Sequence, residues 1–70
     1  MAHVQVIQNQ ETGDYLQYMI HDDAPKWTTN IERAFRYYSD SEDLKQMHLR
    51  LCRKQIGKDS VKAVDYRRQL

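Results

Sequence analysis

The apolar residues change their spacing once along the chain, and that change limits the folds open to it. Over residues 3–21 they largely alternate, the period of a strand with one covered face, whereas over residues 31–56 they recur at three and four, the period of a helix. Val4-Gln5-Val6 starts a clean alternation that Ile7 interrupts, so His3–Gln8 reads as a short β-branched strand. Asn9–Asp14 is the turn, with Gly13 free to take positive φ. Tyr15–His21 forms the return strand, with Leu16, Tyr18 and Ile20 on one face and Tyr15, Gln17 and Met19 on the other.

Asp22-Asp23-Ala24-Pro25-Lys26 reads as a loop, because proline donates no N–H and paired acids favour water. Thr29-Asn30-Ile31-Glu32 fits a capping box, and Ile31, Ala34, Phe35 and Tyr38 fall on one face of a short helix over about 30–38. Arg36-Tyr37-Tyr38 would also suit a strand, so the last turn of that helix has an extended alternative. Ser39-Asp40-Ser41-Glu42 is a second capping box, opening a helix over about 41–56 that stops at Gly57. Leu44, Met47, Leu51 and Cys52 form its inward stripe. Val61, Ala63, Val64 and Tyr66 give a third strand over about 60–66, with a helix as the alternative.

The expectation is one α+β domain over residues 1–70, of order ββααβ, with the hairpin packed against two helices. Its core would join Trp27, Phe35 and Tyr38 to Val4, Val6, Leu16, Tyr18 and Ile20. A chain of 70 residues buries only about 60% of the surface that its unfolded form exposes. One cysteine, Cys52, permits no intramolecular bridge, so hydrophobic packing must hold the fold, with a homodimer as one way to extend it. A mean hydropathy of −0.93 raises the question of disorder. Five Tyr, one Trp and one Phe at a net charge of +1 answer it in favour of folding. Met1–Gln5 lacks the basic start and apolar run of a signal peptide and no run is long enough to cross a bilayer, so a cytoplasmic protein with no membrane partner is expected.

Charge is divided unevenly along the chain. Up to Lys45 there are eight acids and four bases; from Gln46 to Leu70 there are seven bases and two acids. At about 100° per residue Arg50, Arg53 and Lys54 share the outer face of the second helix, and Lys58 follows it. The bland reading is complementation of the helix dipole, with Glu42 and Asp43 at the start and Arg53 and Lys54 at the end. The stripe also suits an acidic protein surface or, more weakly, the phosphates of nucleic acid.

His48 and Cys52 stand at i and i+4, the spacing of two metal ligands on a helix. Only His3 and His21 remain to complete such a set, so Cys52 reads as a packed thiol and no metal or other cofactor is expected. Cys52 sits late in its helix, the wrong end for an activated thiolate. Gly13 is isolated and makes no phosphate loop, while Asp22-Asp23 read as solvated turn formers. No catalysis is expected. Tyr15, Met19 and Ile7 lie on the sheet face opposite the expected core, a candidate partner patch that Leu49 and Ile56 could extend.

At Gly13-Asp14-Tyr15, Trp27-Thr28, Ile31-x-x-Ala34 and Tyr38-Ser39-x-x-Glu42 the chain resembles a broad group of short phage and prophage accessory proteins. The resemblance runs over about residues 4–66. It implies an accessory protein of a mobile element, the pool from which inhibitors of host defence, anti-CRISPR proteins among them, are drawn. The function expected is therefore a non-enzymatic protein that binds and inhibits or modulates a bacterial host protein. The alternative is a small nucleic-acid-binding regulator using the basic C-terminal half. The residues expected at the interface are Arg50, Arg53, Lys54, Lys58, Tyr15 and Met19.

Overall fold

The computed structural model describes residues 4–21 and 24–67. Strands β1 (Gln5–Asn9), β2 (Tyr15–Met19) and β3 (Pro25–Thr28) come first, then a 3₁₀ turn (Ile31–Arg33), helix α1 (Glu42–Ile56) and strand β4 (Val61–Asp65). The strands make one antiparallel sheet of order β3-β2-β1-β4. The α+β class, the N-terminal hairpin, the long helix and the C-terminal strand agree with the sequence. Two expected elements are overturned.

The first concerns the loop at Pro25, which begins a strand instead. Proline is tolerated here because β3 lies at the sheet edge and Pro25 opens it. Asp22 and Asp23 lie outside the described residues.

The second concerns the helix over 30–38, of which only one 3₁₀ turn forms. Asn30, rather than Thr29, caps that turn: its side chain accepts from the Glu32 N–H at 3.0 Å. Ala34 is already extended, at φ −69° and ψ 149°. A helix this short gains little by itself, and here the backbone has better partners. Phe35 N–H donates to the Leu16 carbonyl at 2.9 Å, and Gln5 and Tyr37 exchange both backbone bonds at 3.0 and 2.9 Å. Residues 35–37 thus fill the opening where β1 and β2 diverge beyond their pairing at Gln8 and Tyr15.

That insertion carries the chain from one sheet face to the other. On one face Ile31 and Ala34 pack with Val6, Tyr15, Val64 and Tyr66. On the other, Phe35 and Tyr37 pack with Ile7, Leu16, Leu49, Cys52 and Val61 beneath α1. Both faces of β1 are therefore covered, and Val6 and Ile7 are each fully buried. This explains why Ile7 interrupts the alternation.

The expected core needs correction in three places. A register shift between Leu16 and Tyr18 opposite β3 adds one residue to β2, so Leu16 and Met19 both pack beneath α1 while Tyr18 turns away. Tyr18 and Ile20 are exposed, and Tyr37 occupies the core position assigned to Tyr38, which is exposed. On α1 the buried face is His48, Leu49 and Cys52, whereas Met47 is 44% exposed. Lys45 helps set this rotation: its ammonium is held by Gln5 Oε1 on β1 at 2.7 Å and by Glu42 Oε2 at 2.6 Å. Ser41 stands at the N-cap without a side-chain bond to the helix, so the box expected from Ser39 does not form. Gly57 ends α1 at φ 119°, its N–H bonded to the Arg53 carbonyl.

Candidate functional site

Two groups of side chains carry chemistry, one inside the domain and one on its surface. Inside, the Tyr37 hydroxyl lies 2.6 Å from His48 Nδ1, both residues being buried. The Phe35 ring packs against both, with centroids 4.8 Å from Tyr37 and 5.5 Å from His48, the latter edge-on. Burial holds the His48 imidazolium form down, pushes the Tyr37 phenol well above its ordinary range and raises the Cys52 thiol to about 11. With the imidazole neutral, the pair shares one hydrogen bond whose direction follows the tautomer: the phenol donates to a bare Nδ1, or Nδ1–H donates to the phenol oxygen. The group is a satisfied polar pair in an apolar core. Among the described residues no buried side-chain nitrogen or oxygen lacks a hydrogen-bond partner.

Cys52 is fully buried and protonated, the opposite of what a nucleophile needs. His48 spends Nδ1 on Tyr37. Among the described residues no group of three or more His, Cys, Asp or Glu is placed to hold a metal ion, and no helix is long and apolar enough to cross a membrane.

On the surface, Arg50, Arg53 and Lys54 of α1 are all exposed, as is Lys58 in the turn that follows. None of the four makes an ion pair with another described residue; the one ion pair there joins Lys45 and Glu42. The helix is positioned for this by its buried edge: once Leu49 and Cys52 face the sheet, the 3.6-residue period turns Arg50 and Lys54 outward. Met47, exposed, stands three residues before Arg50 and seven before Lys54, on the same outer side.

Tyr15 and Met19 are not neighbours on a free face. The added residue in β2 separates them: Tyr15 packs half-buried with Val6 and Ile31, and Met19 packs half-buried beneath α1. Ile7, the third member of that expected patch, is fully buried, as Leu49 nearly is. Among the described residues the exposed large apolar side chains are instead Tyr18, Ile20, Tyr38 and Met47. Tyr37 was the core residue least visible in sequence. The signal for it lay in the extended alternative for residues 36–38, which puts Phe35 and Tyr37 on one side by strand parity.

Fold and surface together define a small antiparallel α+β domain that presents one cationic helix face. No family model, curated protein or solved structure matches the chain.

Proposed function

We propose that the protein is a non-enzymatic binding module that docks the outer face of α1 on an acidic surface of a bacterial host protein and thereby inhibits or modulates it. The observation that carries this reading is the exposure of Arg50, Arg53 and Lys54 on one helix without acidic partners among the described residues. Unpaired cations steer association with an acidic surface, and the adjacent Met47 supplies adaptable apolar contact. The resemblance to phage accessory proteins points to a host-defence component, such as a CRISPR effector, as the class of target.

The test is capture from bacterial lysate by the wild-type protein and by the triple variant Arg50→Glu, Arg53→Glu, Lys54→Glu, followed by titration of the captured partner over a range of salt. Surface charges away from packing cost within about 0.5 kcal/mol each, so the variant should fold while losing its partner. A nucleic-acid partner would show a log-log salt slope of about two to three for the phosphates this stripe can neutralise, and would move the function to the regulator class. Equal capture by the triple variant would overturn the proposal.

A further inference from the structure

The sheet has two faces, and α1 covers one of them. Val61 and Ala63 pack beneath α1, and Gln5 reaches it through the 2.7 Å bond to Lys45. Alternation therefore turns Lys62 and Val64 to the second face and keeps Asp65, opposite Gln5, on the α1 side. Leu16, Met19 and Trp27 also lie beneath α1, which sends Tyr18 and its cross-strand partner Lys26 to the second face. Phe35 and Tyr37 lie there too, so Arg36 and Tyr38 point the other way. Arg36 accordingly bonds the hydroxyl of Tyr66 at 3.1 Å, and Tyr66 packs with Val6 on the second face.

The 3₁₀ turn covers part of this face with Ile31 and Ala34. Tyr18 stays 41% exposed and Tyr38 48% exposed, and Lys26 and Lys62 are exposed with them. Rings and cations are interleaved: Lys26 Nζ lies 5.5 Å from the Tyr18 centroid, and the Arg36 guanidinium 4.8 Å from that of Tyr66. Among the described strand residues no acid shares the face. Glu32 of the neighbouring turn gives Arg36 its backbone carbonyl at 3.0 Å, and the one ion pair among the described residues is that of Lys45 and Glu42.

We infer that this second sheet face binds single-stranded nucleic acid, with bases stacked on Tyr18 and Tyr38 and phosphates held by Lys26, Arg36 and Lys62. Aromatic rings interleaved with cations on an open sheet face meet bases and phosphates at once. The charge of the face is of one sign, complementary to a polyanion. Lysines set among the rings disfavour a protein partner, because the core of a protein interface is depleted of charge and of lysine in particular. A duplex keeps its base faces inside the stack, so exposed rings select a single strand. Helix α1 takes no part, and the inference goes beyond the function proposed for its outer face.

The test is fluorescence anisotropy of a labelled single strand of about a dozen nucleotides, compared with the duplex of the same sequence. The single strand should bind more tightly than the duplex. With three phosphates neutralised, log affinity should fall against log salt with a slope of about −2. The pair Tyr18→Ala, Tyr38→Ala should weaken binding at least about fivefold, the low end of what one stacked base contributes, whereas Tyr18→Phe, Tyr38→Phe keeps the rings and should bind as the wild type does. Should the alanine pair fail to fold, Lys26→Glu with Lys62→Glu carries the test and should lower the affinity and flatten the salt slope. The triple variant of α1, Arg50→Glu, Arg53→Glu, Lys54→Glu, should keep the preference for the single strand. No binding of the single strand, equal affinity for the duplex, indifference to the alanine pair, or loss of binding in the α1 variant would overturn the inference. So would a sedimentation mass that rises toward two chains and is restored to one by the alanine pair, which would give the face to a second copy.

Discussion

Replacing Tyr37 by Phe removes one oxygen from a residue that is 1% exposed and keeps the ring that packs on Phe35. The loss is therefore almost purely that of the 2.6 Å contact with His48 Nδ1. A buried donor or acceptor left without its partner costs about 1 to 3 kcal/mol, a large share of the few kcal/mol a domain this small can have. His48→Leu orphans the phenol instead and should cost a similar amount. The double variant, in which neither group is stranded, should lose less than the sum, with a coupling of about 1 to 2 kcal/mol. Acid probes the same contact. Burial lowers the His48 pKa in the folded state, so below the unfolded-state value of about 6.5 the unfolded chain binds the extra proton and the folded one resists it. Stability should thus be full above about pH 6.5 and fall as pH drops toward 5.5, at a slope of at most about 1.4 kcal/mol per unit. In His48→Leu this dependence should flatten. Urea melts of the four proteins, followed by Trp27 fluorescence at several pH values, measure all of it. A Tyr37→Phe variant within 0.5 kcal/mol of wild type (about the limit for a surface change), or an undiminished acid loss in His48→Leu, would refute the assignment of this pair as the polar centre of the core.

Two further outcomes follow from the packing. Phe35→Ala should destabilise by about 3 to 5 kcal/mol and leave the chain largely unfolded, because the ring bridges Tyr37 and His48 where the chain passes between β1 and β2; a melt unchanged within a degree or two would place that ring outside the core. Cys52, fully buried with its thiol raised to about 11, should resist a thiol reagent in the native state at neutral pH and react promptly in urea, which a colorimetric thiol assay distinguishes.

Periodicity revealed the elements whose pattern is set by a single covered face. Helix α1 follows it, with His48, Leu49 and Cys52 on its one buried face. It failed where the fold covers a strand on both sides or shifts its parity. Val6 and Ile7 are both buried, so β1 has no clean alternation to display, and the added residue in β2 moves Met19 to the face of Leu16. Neither event has a local signature in the residues concerned. The spacing Ile31, Ala34, Phe35, Tyr38 failed for a different reason: its apolar residues serve two cores rather than one. A helix would have aimed Ile31 and Phe35 the same way, whereas the fold sends them to opposite faces.

The cationic face was legible and the aromatic patch was not, and the difference is one of mechanism. Arg50 and Lys54 sit opposite the buried face of α1 by 3.6 periodicity alone, and the rotation that buried Leu49 and exposed Met47 changed which apolar residue accompanies them without turning them inward. The patch of Tyr15, Met19 and Ile7 depended instead on strand parity, which one added residue reverses. The same rotation accounts for the buried pair. It carries His48 toward the sheet and Leu51 toward its border, so the imidazole needs a hydroxyl there, and the extended segment through Phe35 brings Tyr37 to supply it. A helix over 30–38 would have left that nitrogen unpaired in an apolar core. The Tyr37–His48 contact is thus a physical reason for residues 35–37 to thread between β1 and β2, beyond the backbone bonds they gain.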